Sequence, residues 1–253
     1  MRVIAIANQK GGVGKTTTAI NLSYCLALAN QKVLLIDIDP QGNATSGLGV
    51  SSDQQLGVYQ VLLEGFIKPE SIKKATIHPN LSVMPGSPLV VGMEQRLGTG
   101  IQGRQRLKTS LAAINNKYDF ILIDCPPSFG NLSINALCAA ESVIIPIQCE
   151  YFSMEGLSQM IKIINNIRAE LNPSLFVEGI LLTMFDKKLE YNQEVLEEVR
   201  KHFGGKVYKV AIPRDVAISE ASGFAKPVLE YDIFSVGTSG YVHLTREILG
   251  YRV

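Results

Sequence analysis

The chain lacks the marks of a membrane protein, a disulfide-stapled secreted protein or a zinc protein. No apolar run in its 253 residues approaches the ~20 that are needed to span a bilayer. No signal-peptide pattern precedes the first motif, because the apolar stretch Val3–Ala7 is too short for one. The four cysteines show neither Cys-x-x-Cys nor zinc-ligand spacing. We therefore expect a cytoplasmic protein whose thiols stay reduced.

The charge balance is nearly even, with a formal net charge of +1. Such a chain carries no global basic field, so any surface for nucleic acid or an anionic membrane must be a local patch. The three histidines show no ligand spacing and no adjacent nucleophile motif. We find no internal repeat, low-complexity tract or linker, and we expect residues 1–253 to form a single domain.

A glycine-rich loop lies between the apolar run Val3–Ala7 and a segment of helical periodicity, Thr16–Ala29. Strand, loop and helix in this order are the setting of a phosphate-binding loop. Glycines allow backbone N–H groups to face an oxyanion, Lys15 places a charge on the β- and γ-phosphates, and the Thr16 hydroxyl binds Mg²⁺. The predicted nucleotide-binding residues of the loop are Lys10, Gly11, Gly12, Val13, Gly14, Lys15, Thr16 and Thr17.

The loop departs from the usual G-x-x-x-x-G-K-[ST] pattern at its start. Gln9 occupies the first glycine position, and a second lysine, Lys10, follows it. An ordinary phosphate-binding loop needs no lysine at that place, so Lys10 predicts an additional role.

Two strands end in aspartate. Asp124 closes the apolar run Ile121–Ile123, the Walker-B pattern, in which a carboxylate holds Mg²⁺ directly or through water. Asp37 and Asp39 end a second apolar run, and alternation along a strand predicts that both point to the same side. One could orient the attacking water while the other supports the metal, although Asp39–Pro40 also favours a turn.

Apolar runs alternate with helical segments along the chain, which predicts an α/β fold with a mostly parallel twisted sheet and helices on both faces. Ligands of such sheets bind at the carboxyl ends of the strands. The expected strands are Val3–Ala7, Val33–Asp39, Phe120–Asp124, Ser142–Ile147, Val177–Met184 and Val207–Ile212. The expected helices are Thr16–Ala29, Gln102–Asn115, Asn131–Ala140, Met154–Leu171, Gln193–Phe203 and Leu244–Leu249.

Taken together, the motifs resemble those of the ParA/Soj-type partition ATPases, within the deviant Walker A group of P-loop NTPases that includes MinD and nitrogenase iron protein. The resemblance runs over nearly the whole chain. It is carried by four segments: 10–17 (KGGVGKTT), 37–43 (DIDPQGN), 122–128 (LIDCPPS), and 212–215 (IPRD) with 219–221 (SEA).

The resemblance implies an ATPase that forms a homodimer around two Mg-ATP molecules. Lys10 would reach the phosphates of the partner subunit, Lys15 would bind its own nucleotide, and Asp39 would position the attacking water. Gly11 would lie close to the dimer interface. The implied metal-binding residues are Thr16, Asp39 and Asp124, and the implied adenine pocket lies near Met184, Pro213 and Arg214.

The resemblance also implies non-specific binding of double-stranded DNA by the ATP dimer, release on stimulation by a ParB/Spo0J-type partner, and slow hydrolysis without that partner. The DNA-binding residues would be Lys187, Lys188, Lys209 and Arg214, within a wider basic set that includes Arg200, Lys201 and Lys206. Many relatives carry arginine where this chain has Ala217, so the sequence leaves open whether DNA binding is weaker here or lost. The expected location is the cytoplasm, in association with the nucleoid.

Three alternatives stay open within this resemblance. A MinD-like membrane-positioning ATPase needs a C-terminal amphipathic helix, whereas the tail from Leu244 carries only Arg246 and Arg252 as cations, so we expect no stable membrane anchor. An iron–sulfur ATPase needs paired cluster cysteines, and Cys125 has no such partner motif. A ParA-like ATPase that positions another cargo is not distinguished by the sequence.

Overall fold

The computed structural model describes residues 1–51, 53–150 and 153–251. Its centre is a seven-stranded sheet in the order β3-β4-β2-β5-β1-β6-β7. All neighbouring pairs are parallel except β3 with β4 at one edge. The strands are β1 (Arg2–Ile6), β2 (Val33–Asp37), β3 (Lys73–Lys74), β4 (Leu81–Met84), β5 (Phe120–Asp124), β6 (Ser142–Gln148) and β7 (Phe176–Thr183).

Helices cover both faces of this sheet. The longer ones are α1 (Lys15–Leu28), α8 (Ser153–Glu170), α9 (Glu190–Phe203) and α12 (Val236–Ile248). The shorter ones are α2 (Asn43–Ser46), α3 (Val58–Glu64), α4 (Met93–Arg96), α5 (Ile101–Arg104), α6 (Arg106–Leu111), α7 (Asn131–Ala139), α10 (Val216–Gly223) and α11 (Val228–Tyr231). Short 3-10 segments occupy Pro69–Ser71, Pro88–Gly92, Ala112–Ile114 and Gly204–Lys206.

The strands are apolar on both sides because each face of the sheet has its own core. In β1, Val3 and Ala5 belong to the core beneath α7 and α8, whereas Ile4 and Ile6 belong to the core beneath α1 and α12. A strand buried on both faces reads as a continuous apolar run, which is why β1, β2 and β5 were evident in the sequence. The α/β fold with a mostly parallel sheet is therefore confirmed.

Three local predictions were wrong. Residues Val207–Ile212 form no strand, although they follow the edge of β7: Val207 makes an isolated bridge to Ile180, and the Ile212 N–H donates to the Leu182 carbonyl at 2.8 Å. The expected helix Gln102–Asn115 is broken into α5, α6 and a 3-10 turn. The last helix begins at Val236 rather than Leu244, since the Ser235 side chain caps it by accepting a hydrogen bond from the Thr238 N–H.

The helices α10 and α11, which follow Arg214, were not predicted. The Asp215 side chain caps α10 by accepting a hydrogen bond from the Ala217 N–H. The helix α11 is a single turn after Pro227. Within the described ranges, none of the helices combines the length and hydropathy that a membrane span requires. Arg252, which we counted among the cations of the tail, lies outside the described residues.

Candidate functional site

The glycine-rich loop lies at the carboxyl end of β1, between β5 and β6 in the middle of the sheet. Gly12 and Gly14 have φ angles of 74° and 84°, a left-handed conformation that side chains disfavour. The N–H of Thr18 already bonds to the Gly14 carbonyl at 2.9 Å, so α1 starts directly at the loop. The free N–H groups of the loop and of the first helical turn are available to an anion.

The loop lysine is largely buried. Lys15 is 7% exposed, and its Nζ donates to the Lys10 carbonyl at 2.9 Å. Burial lowers the pKa of Lys15, and the nearby Asp124 carboxylate opposes that shift. Lys15 and Thr16 line a cavity of about 350 Å³ together with glycines of the loop. The cavity therefore has a cation and a helix N-terminus, the two features that bind a phosphate chain.

A group of buried carboxylates lies behind this cavity. Asp37 and Asp124 end neighbouring strands in register, and both are fully buried. Oδ2 of Asp37 accepts from the Thr45 N–H at 2.8 Å and the Thr45 hydroxyl at 2.7 Å. Burial raises the pKa of Asp37 to about 6. Burial raises the pKa of Asp124 well above its usual range, with a further rise from Asp37.

These carboxylates fit a divalent cation. Among the residues that the structure describes, Oδ1 of Asp37 and both oxygens of Asp124 accept no hydrogen bond. Thr16 lies near enough to lower the pKa of Asp124. Mg²⁺ in nucleotide sites takes one or two protein oxygens and completes its shell with phosphates and water. The described residues contain no cluster of three metal-ligating His, Cys, Asp or Glu side chains, and such a site does not need one.

Asp39 lies two residues beyond Asp37, outside the strand. β2 ends at Asp37, so Asp39 lies in the following turn rather than on the strand as we expected. It is 7% exposed and lines the phosphate cavity, where its Oδ1 accepts from the Gln41 N–H at 2.9 Å. The turn that Pro40 favours thus places the Asp39 carboxylate at the cavity wall, where it can contact a water or a metal ion.

A second, smaller cavity adjoins the first. It measures about 220 Å³ and shares Gly14, Thr17 and Met184 with the phosphate cavity. Pro213 and Arg214, which we predicted near the adenine, line it. Its wall also includes Ile212, Ile218, Ser219 and Tyr241. A mainly apolar slot beside a phosphate cavity is the shape that a purine base with its sugar requires.

The second lysine of the loop is turned away from its own phosphate cavity. The Lys10 ammonium is paired with the Glu150 carboxylate, and the two side chains are 45% and 53% exposed. Exposed pairs of this kind contribute little to stability. The Lys10 side chain is therefore available for a contact outside the chain.

Two residues that support the loop, Thr183 and Gln148, were not predicted. The Thr183 hydroxyl donates to the Val13 carbonyl at 2.9 Å, and Gln148 donates to the Gly12 carbonyl at 2.8 Å. Met184, which was predicted near the adenine, follows Thr183 with a φ of 52°, an uncommon conformation for a side-chain-bearing residue. In the sequence, only position pointed to Thr183 and Gln148. They stand at the carboxyl ends of β7 and β6, where ligand-binding residues of parallel sheets collect.

The four predicted DNA-binding residues lie together. They line a third cavity, of about 710 Å³, on the far side of Pro213 from the base slot. Asp186 is the acidic residue in its wall, and its side chain accepts from the Lys188 N–H at 2.9 Å. The cations that line this cavity are Lys187, Lys188, Lys209 and Arg214. Of the wider basic set, Arg200 instead donates to the Lys209 carbonyl at 3.1 Å.

Comparison with known proteins agrees with this geometry. A family model described as an AAA domain matches residues 1–177. The sporulation initiation inhibitor protein Soj of Bacillus subtilis is 48% identical over 248 residues, which is 98% of this chain and 98% of the relative. The chain belongs to the ParA/Soj family of partition ATPases. ParA of Caulobacter vibrioides, a chromosome partitioning protein, is 47% identical over 98% of this chain and 94% of its own.

The family's fold is also found among solved structures. Cobyrinic acid a,c-diamide synthase from Mycobacterium smegmatis has a TM-score of 0.85 and 31% identity to this chain, covering 98% of it and 94% of the synthase. It was solved with ADP and magnesium, and also with an ATP analogue and magnesium. The P-loop NTPase fold expected for the ParA/Soj family is thus confirmed for this chain.

Proposed function

We propose that this chain is an ATP-dependent switch for DNA segregation, and that residues 1–253 act as one unit. The observation that carries the proposal is the pair of joined cavities. The phosphate cavity holds Lys15, Thr16 and Asp39, and the base slot opens from it through Gly14 and Met184. This arrangement fits a nucleoside triphosphate whose phosphates lie on the N-terminus of α1.

The residues of the site divide the work of hydrolysis. Thr16 and Asp124 would hold Mg²⁺, which would neutralise the charge that develops on the phosphates during transfer. Lys15 binds the same phosphates. Asp39 orients the attacking water from the cavity wall and can support the metal. Pro213 and Arg214 flank the base.

Lys10 supplies what a single subunit lacks. Its side chain points out of its own site, so we assign it to the phosphates of a second subunit in an ATP-dependent homodimer. A cation supplied in trans is worth ~10³–10⁵ in the rate of phosphoryl transfer. Hydrolysis by the chain alone is slow, because the site awaits both this lysine and a ParB/Spo0J-type partner protein.

The ATP dimer binds double-stranded DNA without sequence preference. The cationic cavity supports this step, because four cations with one carboxylate form a local positive surface on a chain of net charge +1. Lysine and arginine bound to phosphates give affinity without base recognition. The protein releases DNA after hydrolysis. Its association with the nucleoid therefore depends on the bound nucleotide. A chromosome, a plasmid or another cargo would be moved by the same cycle.

The test is the binding of random-sequence duplex DNA by the Asp39→Ala variant, with ATP and with ADP, across a salt series. We expect binding with ATP alone, and a linear fall of log K with log salt. Equal binding with both nucleotides, or no binding with ATP at low salt, contradicts the DNA step. Anionic liposomes serve as the parallel arm: ATP-dependent binding to liposomes instead of DNA favours a MinD-like membrane role.

A further inference from the structure

Four exposed apolar side chains lie within a few residues, along the chain, of positions that line the cationic cavity. Phe234 is 94% exposed, Val216 70%, Ile233 63% and Val236 60%. We call these four residues the apolar rim. Phe234 is the most exposed large apolar side chain in the described part of the chain. Contiguous exposed apolar groups are costly in water and mark interaction sites.

The rim is continuous with the cations. Val236 itself lines the cationic cavity, and Phe234 stands two residues before it, so their Cα atoms are at most ~7 Å apart. Val216 stands two residues after Arg214, another cavity residue. The Gly237 N–H donates to Oδ2 of Asp215 at 2.8 Å, which holds the starts of α10 and α12 together. The apolar rim and the cations therefore form one surface.

The tip that carries Phe234 is held by hydrogen bonds of its backbone. Oδ1 of Asp232 accepts from the Phe234 N–H at 2.9 Å, and the Thr238 hydroxyl donates to the Asp232 carbonyl at 2.7 Å. Ser235 then caps α12. The Phe234 side chain takes no part in these contacts. The fold thus fixes the backbone that carries an aromatic ring outside the core, as the backbone of a preformed binding element would be fixed.

The charges select the class of ligand. Four cations and one carboxylate, Asp186, in the same wall favour a polyanionic ligand. The apolar rim favours a ligand that also has apolar surface close to its negative charges. Duplex DNA has both, since apolar wedges such as Phe and Ile enter between base steps from the groove while cations hold the flanking phosphates. A bilayer fits less well, because the cations lie in a concave cavity and the rim is no helical stripe.

We propose that Phe234, supported by Ile233, inserts between base pairs of the duplex whose phosphates the cationic cavity binds. The inference rests on the proposed DNA binding and adds an apolar, salt-insensitive component to it. Insertion partly unstacks a base step and unwinds or kinks the duplex locally. Since every base step presents an apolar face, this contact keeps the binding non-specific in sequence.

The first test measures duplex binding by fluorescence anisotropy in the Asp39→Ala background with ATP. Phe234→Ala should weaken binding about tenfold or more at every salt concentration while the slope of log K against log salt stays unchanged. Lys188→Ala should instead reduce the slope by about one unit, because one phosphate no longer has its cation. The matched control is Phe176→Ala, because Phe176 is also exposed, at 50%. It lies at the start of β7, whereas the cavity residues Lys187 and Lys188 follow the end of that strand.

The second test detects the insertion itself. Closed circular DNA is relaxed by a topoisomerase in the presence of the ATP-bound protein, and its linking number is read after deproteinisation. The parent and Phe234→Trp proteins should lower the linking number, whereas Phe234→Ala should not. Melting temperatures of all variants should agree, since the Phe234 side chain is outside the core.

The outcomes separate the two proposals. If the parent binds DNA and Phe234→Ala binds and unwinds it equally well, the insertion is refuted while the DNA role stands. If no protein binds DNA under any condition, the proposed function fails first. If Phe234→Ala loses binding to anionic vesicles and keeps binding to DNA, the apolar rim is a lipid contact and the insertion is again refuted.

Discussion

Gly11→Val should separate folding and nucleotide binding from dimerisation. A Cβ atom built on Gly11 meets no atom within 4 Å, and its backbone is not among those with positive φ. The isolated chain therefore has room for a valine, and we expect a change in the free energy of unfolding of at most ~0.5 kcal/mol. That corresponds to a shift of ~1–2 °C in melting temperature for a chain of this size.

The dimer should respond quite differently. Overpacking a close contact costs ~1–3 kcal/mol, and a two-fold interface contains the contact twice. The total of ~2–6 kcal/mol weakens dimerisation by a factor between ~30 and more than ~10⁴. Sedimentation with Mg-ATP measures the dimer, a fluorescent ATP analogue measures nucleotide binding, and a thermal melt measures stability.

Two other glycines supply the controls. Gly100→Val places a valine in equally open space with an ordinary φ of −73°, and it should leave the dimer intact. Gly12→Val forces a β-branched residue to φ 74°, at a cost of ~1–3 kcal/mol in stability. A Gly11→Val protein that dimerises normally with ATP would show that Gly11 does not face a partner subunit. One that melts far below the parent would show that the isolated chain has no room for the valine.

Four further changes test the roles of single side chains. Asp39→Ala should bind ATP and dimerise but hydrolyse ~10²–10⁴-fold more slowly in a phosphate-release assay, and a normal rate excludes the water-positioning role. Lys10→Ala should lose ~10³–10⁵ of the partner-stimulated rate; full stimulation contradicts its action in trans. Asp37→Asn removes a buried charge next to Asp124, so the nucleotide-free protein should gain ~1–3 kcal/mol in thermal melts, and a loss refutes this repulsion. Lys188→Ala should lower the salt slope of DNA binding, and an unchanged slope removes it from the DNA contact.

The central part of the fold could be predicted because its signals are local. β1, β2 and β5 are buried on both faces, so their sequences are unbroken apolar runs. The phosphate-binding loop follows β1 directly, and its glycines include the two whose positive φ angles disfavour residues with a side chain. The strand at Val207–Ile212 was wrong because apolar residues that cover a sheet edge resemble those that join it.

Residues that are distant in sequence and meet at the site only in the folded chain could not be predicted from local patterns. Tyr241 lies on α12, more than two hundred residues from Gly14, yet both line the base slot. Thr183 and Gln148 support the loop from two other strands. Phe234 gave no signal either, since an apolar residue in a sequence predicts burial far more often than 94% exposure.

The most direct test of the account is the mass of the Asp39→Ala protein by light scattering, with Mg-ATP, with Mg-ADP and with ATP in EDTA. The account predicts twice the chain mass of 27.6 kDa with Mg-ATP and a single chain in the other two states. A protein that stays monomeric at saturating Mg-ATP, or that is dimeric regardless of nucleotide, would contradict the claim that ATP closes two subunits around Lys10.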